Sequence, residues 1–365
     1  MTQLIEKNNL TDCRFCSLVS KSNGEDPIGT AGTCNYWLAV EFKQPWPKEI
    51  FKDPRIEPLI PLFKELALQH GISLKPMLIA SDREYSVPGF TRLFYYYRPT
   101  ELFSEFKKQE FLIPETEATS LSIAILKNLM GQPNELSRFE QYKQQANNIR
   151  EIMVCTHAQI DIACGKFGQP LYRRLRKEYA PKFPEKLRVW QSSHFGGHQF
   201  APTLVDLPAG RLWGHLEPEV LDLLIEKQGP VSELSRFYRG WTGLNKFEQI
   251  AEREIWLKEG WEWFNYQKTG KVLRQDKGGI KKYLYKFLQL MPFKLVKLIL
   301  KEKLIKDASW AEVRIEFTTP DSNISGTYEA RVEVNGKVLS SLNSGKEMEL
   351  EDVKQYRVSH LKKVA

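Results

Sequence analysis

The chain has 365 residues, 42% hydrophobic, 27% charged and 12% aromatic, enough for two or three domains with a substantial core. It has no apolar run long enough to span a bilayer as a helix, and its five cysteines are too few, and odd in number, for a disulfide framework. The formal net charge of +8 comes from residues 271–306, where eleven Lys/Arg face two acids, leaving the remainder near neutral. Residues 1–7 lack a signal-peptide core, so the expected compartment is the cytoplasm, whose reducing conditions keep thiols available as ligands.

The first stretch, to about Gln145, reads as mixed α/β. Residues 36–42 are strand-like, rich in aromatic and β-branched side chains. Residues 56–69 place apolar side chains at helical spacing and stop at Gly71. Residues 77–80 and 93–97 read as strands and 114–130 as a helix, and the polar run 141–148 as a boundary. A second α/β unit follows in the order β-α-β-β-β-α: a strand at 152–154, a helix at 170–179, a strand at 187–190, a hairpin across Leu207-Pro208-Ala209-Gly210 and a helix at 217–227. The third part has helix signals over 231–264, then the basic segment, then strands at 311–317, 327–334, 337–342 and 355–361. Asn335-Gly336 between alternating residues predicts a type I′ hairpin. The expected boundaries are residues 1–148, 149–228 and 229–365.

Within the second unit stand Cys155 and Cys164, spaced Cys-x8-Cys, and His194 and His198, spaced His-x3-His. Two thiolates and two imidazoles complete the inner shell of a zinc ion or of a two-iron cluster. An isolated buried Cys is usually a small core residue and an isolated His a hydrogen-bonded one, but here two pairs follow strands, in segments expected to be loops. Gly196-Gly197 between the histidines allows a sharp turn and a close backbone approach. The eight-residue gap is too long for a structural zinc knuckle and suits a broader object. Cys155-x-His157 looks like half of a Rieske motif whose other half, Cys-x-x-His, is missing, so His157 is expected beside the centre rather than in its inner shell.

These pieces, Cys155-Thr156-His157, Ala163-Cys164-Gly165 and His194-Phe195-Gly196-Gly197-His198, resemble those of the sucrase/ferredoxin-like family, which includes the actin-patch-distribution proteins. Residues 23–29 (Asn-Gly-Glu-Asp-Pro-Ile-Gly), Ala201-Pro202-Thr203 and residues 355–359 also look like family text. The match is specific over 151–216 and looser over 16–145. The resemblance implies an α/β fold: a thioredoxin-like ferredoxin domain, preceded by a diverged α/β unit and followed by a helical and β extension. It also implies a [2Fe–2S] cluster on Cys155, Cys164, His194 and His198. The leading expectation is an electron carrier or redox sensor serving donor and acceptor proteins not identified by the sequence. The alternatives are a cluster-dependent reductase or thiol oxidoreductase using Cys13 and Cys16, and a zinc-stabilised interaction module. The scattered acids form no glycosidase pair, so the "sucrase" half of the family name carries no weight.

The remaining signals are weaker. Cys13-Arg14-Phe15-Cys16 lacks an evident fourth ligand or strand-to-helix context, so it and Cys34 read as unpaired thiols, and His215 as structural. The segment 271–306 interleaves Leu and Phe with Lys, which suits an anionic membrane surface, an acidic partner or a solvated helix face. No recognition motif accompanies the charge, so nucleic acid is not expected.

Overall fold

The computed structural model describes residues 15–276, 308–345 and 347–364. A short helix, α1 (Cys16–Ser22), precedes a first half built from β1 (Tyr36–Glu41), α2 (Leu59–Leu68), β2 (Leu74–Ile79), β3 (Phe90–Tyr97), β4 (Lys107–Pro114) and α3 (Ala118–Leu129). The second half repeats this order with β5 (Arg150–Cys155), α4 (Ile162–Arg174), β6 (Leu187–Ser192), β7 (Leu204–Leu207), β8 (Arg211–Trp213) and α5 (Leu221–Glu226). In each half the first two strands are parallel and joined through a helix, and the third and fourth add antiparallel beside the first. The halves thus share one topology, β4-β3-β1-β2 and β8-β7-β5-β6, which is thioredoxin-like.

The two half-sheets join through a narrow seam. β2 meets β6 antiparallel at one residue pair, Ile79 with Ser192. Ala80 N–H donates to Gln191 O at 3.0 Å and Ser193 N–H to Leu78 O at 2.8 Å, while Ser193 Oγ accepts from Leu78 N–H at 2.9 Å. The carboxyl ends of all four parallel strands therefore gather at the middle of a nine-stranded sheet, which β9 (Tyr238–Trp241) completes beside β8. In α/β sheets, ligand sites form outside such strand ends.

The sheet bends at the seam, because β4 still meets β6 and β5 although three and four strands, respectively, separate them from β4 in the strand order. Between the faces lies a buried charge network. Glu151 accepts from Lys108 Nζ at 2.7 Å, from Arg188 and from Trp190 Nε1 at 2.7 Å, and Arg188 also bridges to Glu110 at 2.8 Å. Burial opposes ionisation of Glu110, but Arg188, Lys108 and Arg92 outweigh it and hold its pKa at about 2. Along β1 the side chains alternate: Trp37 and Ala39 face the inner core, while Leu38 joins the layer under α3.

α6 (Lys246–Glu259) starts at a capping box, Asn245 with Glu248, and buries Phe247, Ile250, Ala251, Ile255 and Trp256 on one stripe. It packs between β9 and a four-stranded antiparallel sheet of β10 (Gln267–Gln275), β11 (Trp310–Thr318), β12 (Ser325–Ser340) and β13 (Glu351–Lys363).

Three expectations are corrected. The hairpin predicted at Asn335-Gly336 is a bulge inside the continuous strand β12: Gly336 (φ +133°) pairs with Gln355, and the register shifts between Val334 and Gly336. The helix expected at 170–179 begins at Ile162, ends its α-helical part at Arg174 and closes with a π turn at Leu175–Tyr179. The helical run at 231–264 is interrupted by β9, and β4 was not anticipated. Residues 271–275 of the basic segment form part of β10, and residues 277–306, on which the membrane or acidic-partner expectation rested, lie outside the described residues.

Candidate metal centre

Cys155 is the last residue of β5, a strand buried at every position after Arg150. Cys164 lies in the first turn of α4, not in a loop. Sequence propensity obscured this helix because Gly165, Gly168 and Pro170 fall inside it. Packing explains two of the three: a Cβ at Gly168 would stand 2.0 Å from Cys155 O, and one at Gly165 2.6 Å from Ala158 Cβ. Glycine lets α4 sit directly on the end of β5 and brings the two cysteines together. Asp161 caps the helix, accepting from Ala163 N–H at 2.8 Å.

His194 follows β6 across the seam. Its Nδ1 lies 3.7 Å from Cys155 Sγ and 3.7 Å from Cys164 Sγ. These three donor atoms all lie within 4.8 Å of one another. The two thiols are coupled: hydrogen bonding from Cys164, helped by His194, drives Cys155 well below an ordinary thiol pKa, and Cys164 is driven up by the same bond. The arrangement favours the thiolate at Cys155, the form that binds metal.

His198 opens a short 3-10 turn, with its ring centroid 5.2 Å from that of His194. Its Nδ1 turns away from the thiol pair, to 3.5 Å from Cys16 Sγ and 3.4 Å from Asp161 Oδ2. Asp161 is held there by Ser344, whose N–H donates to Oδ2 at 2.8 Å and whose hydroxyl donates to Oδ1 at 2.6 Å. Cys16, Asp161 and His198 form a second group whose donor atoms lie within 4.8 Å of one another. Burial pushes the Cys16 thiol up to about 12 and lowers the pKa of His198.

The His194–His198 loop is clamped from below. Gly196 (φ +99°) and Gly197 (φ +81°) take backbone conformations that favour glycine. A Cβ on Gly197 would meet the Arg239 guanidinium at 2.3 Å. Buried Arg239 donates to Gly196 O at 2.9 Å and Thr30 O at 3.0 Å. Burial lowers its pKa to about 10, so it stays a cation beside the thiols.

His157 is buried, with Nε2 3.1 Å from Trp46 O and its ring edge-on to Trp46. Cys34 is a buried free thiol pushed up to about 11, and Cys13 lies outside the described residues. His215 is buried and bonds Ser20 Oγ through Nε2 at 3.0 Å.

Sequence reasoning thus grouped Cys155, Cys164 and His194 with a fourth residue, His198, whose Nδ1 the structure commits elsewhere. It missed Asp161, Ser344 and Arg239 and dismissed Cys16. Asp161 followed by a residue triplet that opens a helix was an available N-cap signal; Ser344, 183 residues away, had none.

A family model described as sucrase/ferredoxin-like matches residues 27–240. No curated protein and no solved structure matches the chain. The matched span covers both half-sheets, all four Cys/His positions and Arg239, and ends inside β9, before the four-stranded sheet. The chain belongs to the sucrase/ferredoxin-like family.

Proposed function

We propose that the chain is a one-electron carrier or redox sensor whose centre is a [2Fe–2S] cluster held by Cys155, Cys164, His194 and His198. The observation that carries this is the convergence of two thiols on one imidazole nitrogen, at 3.7 Å each, in a family named for ferredoxins. The donor set fits: soft thiolates and neutral imidazoles suit iron–sulfur ligation. His198 would bind through Nε2, since its Nδ1 is engaged by Asp161. Such a centre supplies a reversible one-electron couple. Around it, this chain's residues fix the ligands: Asp161 orients His198, and Arg239 clamps the glycine loop and offsets thiolate charge. Gly196, Gly197 and buried His157 shape the wall. With imidazole in place of two thiolates, the potential belongs nearer the Rieske range, roughly −150 to +300 mV, than the plant-ferredoxin value of about −400 mV. The donor and acceptor are proteins of the cytoplasm in this scheme. Among the described residues, no helix is long and apolar enough to cross a membrane.

One observation favours a second reading. A sulfur–nitrogen separation of 3.7 Å is close to the edge of a tetrahedron about a single ion, about 3.5 Å for zinc bonds of about 2.3 and 2.0 Å. A structural zinc ion would satisfy it. Purification under anaerobic conditions, with iron, sulfide and zinc analysis, separates the two. The cluster reading expects colour and equal iron and sulfide; a colourless protein with stoichiometric zinc would sink it.

A further inference from the structure

A cavity of about 870 Å³ opens in the first half, between the outer face of its half-sheet and helices α2 and α3. Its volume is within the range of small-molecule sites, roughly 300–1,000 Å³. The walls are mainly apolar, with Leu38 and Val40 of β1, Phe63 of α2 and Met77 of β2 among them. Three features distinguish it from a packing defect. Glu41, 6% exposed, is a lining residue, and among the described residues its carboxylate is met by the Arg92 N–H, which donates to Oε2 at 3.2 Å. Lys43, an exposed residue, also lines it and has no hydrogen-bond or ion-pair partner among the described residues. His194 and His157 also line the cavity. The imidazole that stands 3.7 Å from both thiols is thus also a wall of the cavity.

We propose that this cavity binds a small apolar ring compound of the quinone/quinol class, with the ring against the apolar walls and its oxygens at Lys43 and Glu41. The apolar surface takes the ring. Lys43 donates to a carbonyl oxygen, and the Glu41 carboxylate accepts from a ring hydroxyl. A buried glutamate and an exposed lysine among mainly apolar lining residues match a ligand that alternates between those two oxygen forms. The choice of a redox-active ring rests on the electron-carrier reading, because the shared His194 wall brings the ligand to the centre; the cavity and its polar groups do not depend on it.

The test uses 2,3-dimethyl-1,4-naphthoquinone, whose ring positions are blocked against thiol addition, and 2,3-dimethylnaphthalene, the same shape without oxygens. Binding is measured by calorimetry and by quenching of tryptophan fluorescence, to which Trp46, edge-on to His157, contributes. It is run on the full chain both as purified and after chelation of metal. The expected result is saturable binding of the quinone in both forms, at least tenfold tighter than that of the hydrocarbon. Ile56→Trp, on the cavity wall, should weaken binding tenfold or more, and Lys43→Met should weaken the quinone but not the hydrocarbon. Absence of saturable binding, equal binding of the hydrocarbon, or indifference to Lys43→Met would overturn the proposal; the last two apply even if Ile56→Trp fails to fold. A zinc-bound, colourless protein that still binds the quinone would remove the electron-carrier reading and leave the site. A coloured protein that does not bind it would do the reverse.

Discussion

The two halves share strand order and helix placement, yet among the described residues only the second gathers thiols and imidazoles. At the end of β5 the chain places Cys155; at the corresponding end of β1 it places Glu41. Beyond β6 stands His194 and beyond β2 stands Ser81. The connections differ as much as the residues. Six residues join β5 to α4, so the helix starts at once and sets Cys164 beside Cys155, whereas seventeen join β1 to α2 and leave room for the cavity. One topology thus places a candidate metal centre and a cavity at one seam, and the lengths of the connections separate the two. Fold alone does not assign the chemistry.

The comparison is broken most directly at the paired strand ends. Cys155→Ser or Cys164→Ser should abolish metal retention, while Glu41→Gln in the matching position of the first half should leave metal content unchanged. Metal analysis of the three purified variants checks this, and loss in Glu41→Gln would contradict the division of labour.

Gly168→Ala probes the short connection. Its Cβ meets Cys155 O at 2.0 Å, and the cost should reach the upper part of the overpacking range, about 3 kcal/mol. Denaturant unfolding should show it, together with loss of metal.

Acid should also separate the halves. Burial lowers the pKa of His215, in the second half, from the usual 6.5 to about 4. The imidazole is neutral in the fold but takes a proton in the unfolded chain, so its contribution is fully present above pH 6.5. It is lost as pH falls from 6.5 to about 4, by about 3 kcal/mol. In His215→Gln, unfolding measured at pH 7 and pH 4.5 should show a smaller drop.

Asp161→Asn keeps the shape but removes the charge on His198. Metal affinity, read by chelator competition, should fall on the order of 10–100-fold, with Ser344→Ala giving a smaller change in the same direction. Gly196→Ala should have the smallest effect: no atom lies within 4 Å of its Cβ, so only the positive φ is strained, at about 1 kcal/mol.

Much of this was legible. The strands at β1, β3, β5 and β11 carry local apolar and β-branched runs, and the residues of the thiol–imidazole group are rare enough to stand out. What was not legible depends on distant contacts. α4 is held by packing against β5 in spite of its own glycines and proline. Asn335-Gly336 has the chemistry of a hairpin, but the pairing of Lys337 to Ser340 with β13 overrides the local turn. Cys16 seemed a stray thiol because its partners, Asp161 and His198, are 145 and 182 residues away.

The central claim is that Cys155, Cys164 and the two histidines hold an iron–sulfur centre. Anaerobic purification followed by iron and acid-labile sulfide analysis, with electron paramagnetic resonance of the dithionite-reduced protein, tests it most directly. The account predicts iron and sulfide in equal amounts and a one-electron signal absent from Cys164→Ser. A colourless protein carrying zinc and no sulfide would contradict it.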